Sequence, residues 1–161
     1  MVIGEGPGAE EDRRGEPFVG AAGQMLDRML VNVLGTSRDA AGPGGVYIAN
    51  IVKCRPPGNR NPLPDEVAAC LPVLRAQIAV VRPRWVLLLG SVALKAIYGE
   101  DQGIMRSRGQ WRELPVAAGV PNARVMPTFH PAYLLRKPED KGLALRDLRE
   151  LKAAMGAVGG G

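Results

Sequence analysis

Trp85-Val86-Leu87-Leu88-Leu89-Gly90-Ser91-Val92-Ala93-Leu94-Lys95-Ala96-Ile97-Tyr98 is the stretch that decides the fold. Its first five residues are apolar without alternation, which is how a strand buried on both faces reads. Gly90 breaks the run. Ser91 then stands where a helix cap would stand, so Ser91–Tyr98 is predicted to be a helix that starts directly after the strand. A buried strand feeding a helix is the repeating unit of a parallel sheet covered by helices.

Three further β-rich runs lie outward from this unit, at Met1–Ile3, Val46–Val52 and Val125–Met126. Between them run helix-like stretches. Gly23–Leu34 carries Met25, Leu26, Met29, Leu30 and Val33 on one face. Pro64–Val81 opens with Pro64, Asp65 and Glu66, a favourable helix start, with Pro72 as an expected kink. Leu143–Met155 is amphipathic. The alternation predicts an α/β fold, three layers α/β/α around a central four-stranded parallel sheet. Residues 1–155 are expected to form one domain, and 156–161 a flexible glycine-rich tail. Met1–Ile3 offers three apolar residues where a parallel strand takes about five, so the first strand is expected to be cut short by loss of an N-terminal segment.

Open parallel sheets bind ligands at the C-terminal ends of their strands. The loops there begin at Gly4, Asn50, Gly90 and Thr128, and three of them carry Glu5, Asn50 and His130. Topology alone therefore predicts that these three residues share one crevice.

Composition limits the function. The 161 residues are 46% apolar, enough for a globular core, and carry a formal charge of +5 with a pI near 9.6. A basic chain suits an anionic partner such as nucleic acid. Lys53/Arg55/Arg60, Arg82/Arg84, Arg106/Arg108/Arg112 and Arg136/Lys137 cluster, although most such runs are solvated faces. No apolar run approaches the roughly 18 residues of a membrane span, and the start has no signal-peptide character. A cytoplasmic monomer without membrane contact is the expectation. The chain has two cysteines, Cys54 and Cys70, and one histidine, His130.

Gly4-Glu5-Gly6-Pro7-Gly8-Ala9 formally fits the dinucleotide fingerprint. Pro7 removes a phosphate-cradling N–H, and Glu10-Glu11-Asp12 would repel a pyrophosphate, so a nucleotide-binding enzyme is disfavoured. Phe18, between Pro17 and Val19-Gly20 on a loop, is either core or a stacking platform for a base. Asn50 is either a turn former or a reader: its amide sets a donor beside an acceptor, matching the N3–H/O4 edge of uracil and opposing that of cytosine. His130 precedes Pro131 and is thereby fixed in an extended conformation. It is either a surface histidine or a donor to a developing anion. Leu134, Leu135 and Arg136 could form a wedge with a phosphate anchor. Cys54 and Cys70 alone are a poor metal signal, since an iron–sulfur cluster takes four thiolates.

Taken together, Gly4-Glu5-Gly6-Pro7-Gly8, Glu11-Asp12, Pro17-Phe18-Val19-Gly20, Asn50-Ile51-Val52-Lys53-Cys54-Arg55-Pro56-Pro57 and His130-Pro131-Ala132-Tyr133-Leu134-Leu135 resemble the family 4 uracil-DNA glycosylases. These are bacterial and archaeal enzymes that carry a [4Fe–4S] cluster. The resemblance runs from Val2 to about Leu151 and implies the uracil-DNA glycosylase-like fold. It implies that Phe18 stacks on a flipped uracil, that Asn50 reads N3 and O4, and that His130 and the Gly6 N–H serve O2. Glu11 is implied to crowd C5 against thymine's methyl group, and Glu5 to orient water or sugar. Cys54 and Cys70 match the second pair of cluster ligands, a cluster that the chemistry itself does not need. A related branch that traps uracil-DNA through an extra histidine is excluded, as His130 stands alone. The implied partner is uracil-containing single- or double-stranded DNA. A catalytically impaired DNA-binding fragment of the same fold is the alternative, and excision of uracil separates the two.

Overall fold

The computed structural model describes residues 1–159. Five strands form one sheet: β1 (Val2–Gly4), β2 (Ile48–Asn50), β3 (Trp85–Leu89), β4 (Arg112–Leu114) and β5 (Ala123–Thr128), in the order β2-β1-β3-β5-β4. The first three and β5 are the four parallel strands that the sequence predicts. The prediction of four strands nevertheless falls one short. β4 pairs antiparallel with β5, setting Arg112 opposite Val125 and Leu114 opposite Ala123. Three residues with one apolar member are too few to show alternation. An aromatic contact secures this edge, with the Arg124 guanidinium 4.1 Å from the Trp111 ring centre and 5.4 Å from that of Trp85.

The buried strands sort into two faces with a period of two. Val2, Leu87, Leu89 and Met126 point to one side. There they meet Met25 and Leu26 of α2 (Ala21–Met29), Leu134 of α6 (Pro131–Arg136), and Leu148 and Leu151 of α7 (Lys141–Gly159). Ile3, Val86, Leu88 and Val125 point to the other side. They pack on Leu74 and Ile78 of α3 (Pro64–Val81) and on Ala93 and Leu94 of α4 (Ser91–Tyr98). The result is the expected three layers. A buried ion pair ties the α7 layer to the sheet: Asp147 receives Arg108 and the Thr128 hydroxyl, the latter at 2.6 Å. Arg108 is therefore a structural cation, not part of a solvated face.

Several elements differ from the sequence reading. A short helix α1 (Ala9–Arg14) begins in the acidic run, where three carboxylates suit the positive end of the helix dipole. Pro72 sits inside an uninterrupted α3. The Gly23–Leu34 pattern divides into α2 and a wide turn, Leu30–Leu34. Ser91 makes no cap bond; the cap position is Gly90, at φ 92°. The last helix runs through Gly159 instead of stopping at Met155, and Gly160–Gly161 of the expected tail lie outside the described residues. No helix is long and apolar enough to cross a membrane among the described residues.

Candidate active site

The four parallel strands end at Gly4, Asn50, Leu89 and Thr128, and the polar residues gather there. Two glycines are the joints of the gathering. A Cβ on Gly4 would lie 2.5 Å from the Phe18 ring and 2.8 Å from Asn50 Oδ1. A Cβ on Gly90 would lie 2.7 Å from Glu5 Oε1 and 3.0 Å from His130 Cβ. The Phe18 and His130 rings stack with centres 5.5 Å apart, inclined by 27°. Asn50, Phe18, His130 and Glu5 thus follow one another at one end of the sheet, where the topology predicts Glu5, Asn50 and His130 to meet and where Phe18 joins them.

Asn50 closes β2 directly opposite Gly4. Its side chain is buried, and its Oδ1 has no hydrogen-bond partner. Buried polar atoms are nearly always satisfied, so an orphan acceptor marks a place prepared for a donor that arrives later. The backbone around it is firmly held. Lys53 Nζ donates to the Asn50 carbonyl at 2.7 Å and to Gln77 Oε1 at 2.6 Å.

His130 caps α6. Its Nδ1 accepts the Ala132 N–H at 3.0 Å, and Pro131 occupies the first helical position. A neutral ring with Nδ1 accepting must carry its proton on Nε2. Burial pushes the His130 pKa down to about 4, with the Arg136 charge as a smaller contribution. At neutral pH the side chain is an uncharged Nε2–H donor.

Glu5 lies at the start of α4, its Oε1 2.7 Å from where a Cβ on Gly90 would stand. Burial raises its pKa, while the nearby Val92 N–H and the Arg136 charge act in the opposite direction. Gly6 lies against Val52, whose Cγ2 would be 2.6 Å from a Cβ there, so a side chain at position 6 would force Val52 to shift.

Phe18 is held in the left-handed region at φ 54° and is 6% exposed. Two side chains fix its loop. Glu11 accepts the N–H groups of Gly8, Val19 and Gly20, at 3.1, 3.1 and 2.8 Å. Arg38 donates to the Pro17 and Phe18 carbonyls. The sequence reading finds Glu11 but not this stapling; it passes over Arg38 and names Gly23 and Lys53 only as members of longer stretches. Nothing local marks Arg38, whereas Gly90, directly after a strand, is marked by its place in the sequence.

The proposed wedge needs a correction. Leu134 is 2% exposed and packs in the core, since it faces inward from α6, so it cannot enter DNA. Leu135 is exposed, as is Arg136. Cys54 is exposed and Cys70 half-buried, and the Lys53 N–H approaches Cys70 Sγ at 3.5 Å, a contact that a thiolate ligand accepts. Among the described residues no three His, Cys, Asp or Glu side chains are grouped to hold a metal. Two thiols are half of a four-thiolate set, so the residues present do not complete a cluster site.

Cavity size does not locate the chemistry. A cavity of about 670 Å³ opens at the far end of the sheet, beside Met1, Tyr47, Trp85 and Met155, and holds none of the residues above. A smaller one of about 370 Å³ borders Asn50, Glu11 and Pro17. The crevice is recognised by its orphan acceptor and its neutral donor.

Residues 1–151 match the family model of the uracil DNA glycosylase superfamily. The type-4 uracil-DNA glycosylase of Pyrobaculum aerophilum is 43% identical over 154 residues, covering 92% of this chain and 74% of that protein. That of Thermotoga maritima is 42% identical over 156 residues, covering 95% and 76%. A type-5 uracil-DNA glycosylase of Pyrobaculum aerophilum is 37% identical over 144 residues, covering 83% and 61%. With a match that spans every strand end of the crevice, the chain belongs to the uracil DNA glycosylase superfamily and, within it, to the type-4 family.

Proposed function

We propose that this chain is a uracil-DNA glycosylase, which takes a uracil nucleotide flipped out of DNA and hydrolyses its N1–C1′ bond. The observation that carries the reading is the orphaned Oδ1 of Asn50, a buried acceptor without a partner that the N3–H of uracil would satisfy. Cytosine has no N3–H and would leave that oxygen unpaired, which is how a polar site rejects a near-isostere.

The flipped base stacks on Phe18 and lies between Asn50 and His130. As the N1–C1′ bond breaks, its electron pair passes to the base and negative charge builds on O2. The neutral Nε2–H of His130, with the Gly6 N–H beside it, donates to that oxygen in the manner of an oxyanion hole. An uncharged donor suits the task, since it holds the anion without protonating it. The cationic sugar left behind takes water at C1′, the added water gives up a proton to solvent, the uracil anion takes one from solvent on leaving, and an abasic site remains. Glu5 orients the water or the sugar. Glu11, held rigid by its three N–H bonds, limits the room beside C5 and so excludes thymine's methyl group.

Leu135 and Arg136 touch the strand beside the flipped base, the latter through phosphate. Cys54 and Cys70 would supply two of the four thiolates that an iron–sulfur cluster takes, and no step of the reaction passes through them. The chain acts as a cytoplasmic monomer on single- or double-stranded DNA containing uracil.

The test is excision from a single-stranded oligonucleotide with one uracil, read by alkaline cleavage, with a thymine oligonucleotide as control. Wild-type chain should cleave only the uracil strand. Asn50→Ala should lose about 1–3 kcal/mol of discrimination, roughly tenfold to a hundredfold in rate. Silence from the folded wild-type chain would favour the non-catalytic DNA-binding reading.

A further inference from the structure

Phe18 has no reason of its own to hold its conformation. A residue with a Cβ avoids the left-handed region, yet Phe18 sits there at φ 54° without a glycine's freedom. Its carbonyl is pressed onto α2 so closely that a Cβ on Gly23 would lie 1.9 Å from the Phe18 oxygen. Something must keep that peptide group in place, and twenty residues downstream one side chain does so.

Arg38 spreads its guanidinium over three acceptors. NH1 donates to the Pro17 carbonyl at 2.8 Å, NH2 to the Phe18 carbonyl at 2.6 Å, and Nε to Asp27 Oδ1 at 2.7 Å. The Arg38 side chain is 22% exposed and Asp27, on α2, 45%. A solvent-exposed ion pair would be worth little, but here two of the three donors are spent on the backbone that carries Phe18. Only a planar fork can reach all three at once; an ammonium cannot.

We propose that Arg38, oriented by Asp27, is a positioning residue for base stacking. By gripping the Pro17 and Phe18 carbonyls it locks Phe18 in its left-handed conformation, and so sets the ring against Gly4 and His130. The proposal rests on the reading of Phe18 as the stacking residue, and the experiment keeps the two separable.

Single-turnover excision at subsaturating enzyme would be compared for wild type, Phe18→Ala, Arg38→Gln, Arg38→Lys and the double variant Phe18→Ala/Arg38→Gln, with inhibition by free uracil and thermal unfolding alongside. Stacking is worth enough that Phe18→Ala should slow excision about a hundredfold and Arg38→Gln about tenfold. Arg38→Lys should not rescue, and free uracil should inhibit Arg38→Gln more weakly. The deciding result is the double variant, which should be no slower than Phe18→Ala alone. Multiplied losses would mean that Arg38 acts on general stability and would overturn the proposal, as would a wild-type rate in Arg38→Gln. Should Arg38→Gln not fold, Asp27→Asn stands in for it, alone and on Phe18→Ala, with a smaller loss on the wild-type background and none on the other. A wild-type rate in Phe18→Ala would remove the stacking reading itself, and this proposal with it.

Discussion

The crevice has two walls, and they are built on different principles. One is the loop from Glu5 to Gly20, which carries Phe18. It stands on side-chain contacts to its backbone: three N–H bonds to Glu11 within the loop, two carbonyls gripped by the distant Arg38, and a strained φ beside those bonds. The other is the turn after β5, which carries His130. It stands on local structure: Pro131 starts a helix, His130 caps it, and Leu134 anchors it in the core. Both walls reach the core, Phe18 and Leu134 belonging to one buried cluster. The first, held by side-chain bonds to its backbone, is expected to loosen before the second, held by a helix. The first is thus the adjustable wall and the second the fixed one. On the proposed reading the base lies beside the two rings, which already stack 5.5 Å apart, and the proposed donor, His130, sits on the fixed wall.

The largest effect should come from the fixed wall. Removing the Nε2–H donor with His130→Ala should slow single-turnover excision about 10²–10³-fold, the usual cost of one oxyanion donor. The same change deletes the α6 cap, about 1 kcal/mol of stability. His130→Asn separates the two effects, because a shorter amide oxygen can still accept the Ala132 N–H. It should restore the unfolding temperature and leave the rate low. Recovery of the rate along with stability would show that the ring serves only as a cap.

Comparing the two supports tests the contrast itself. Leu134→Ala removes a core side chain and should cost about 2–5 kcal/mol in denaturant unfolding. Leu135→Ala, at an exposed position, should leave stability unchanged. Glu11→Gln keeps the shape but weakens charge-assisted bonds, and should cost about 1–3 kcal/mol at most. Its effect on excision should be large relative to its effect on unfolding, while Leu134→Ala shows the reverse. Equal ratios for the two variants would erase the distinction between the walls.

The same contrast decides what the sequence can tell. The fixed wall is legible because its causes are neighbours: a strand, a His-Pro step and a helix follow one another in the chain. The parallel strands and the Ser91–Tyr98 helix are legible for the same reason. Leu134 misleads because two adjacent leucines on a short helix give no period long enough to say which faces inward. The adjustable wall is not legible, since Arg38 has partners twenty positions away and those partners are carbonyls, which no side-chain pattern advertises. The Ser91 cap fails likewise: the cap position is Gly90, and the polar group beside it is the carboxylate of Glu5, at the end of another strand. Asn50 is seen from sequence as a possible reader, but only the fold reveals that its oxygen is left without a partner.

The smallest effect, and the most direct, is on the titration of His130. The chain has one histidine, so its imidazole nitrogens can be followed by NMR without assignment. The ring should be the Nε2–H tautomer at pH 7 and titrate near 4, well below its ordinary value of 6.5. Because the folded pKa is depressed, the unfolded chain takes up this proton first as acid is added. The contribution of His130 to stability is therefore full above about pH 6.5 and declines as pH falls toward 4. Glu5 works with the opposite sign. Burial raises its folded pKa, so its contribution declines as pH rises through that value. Subtracting the stability profile of His130→Asn from that of wild type removes the Glu5 part and should leave only the histidine's fall between those two limits. A midpoint near 6.5, or a difference profile flat across the interval, would mean that the ring is open to water and charged in mild acid. A charged ring could not be the neutral donor on which the fixed wall depends.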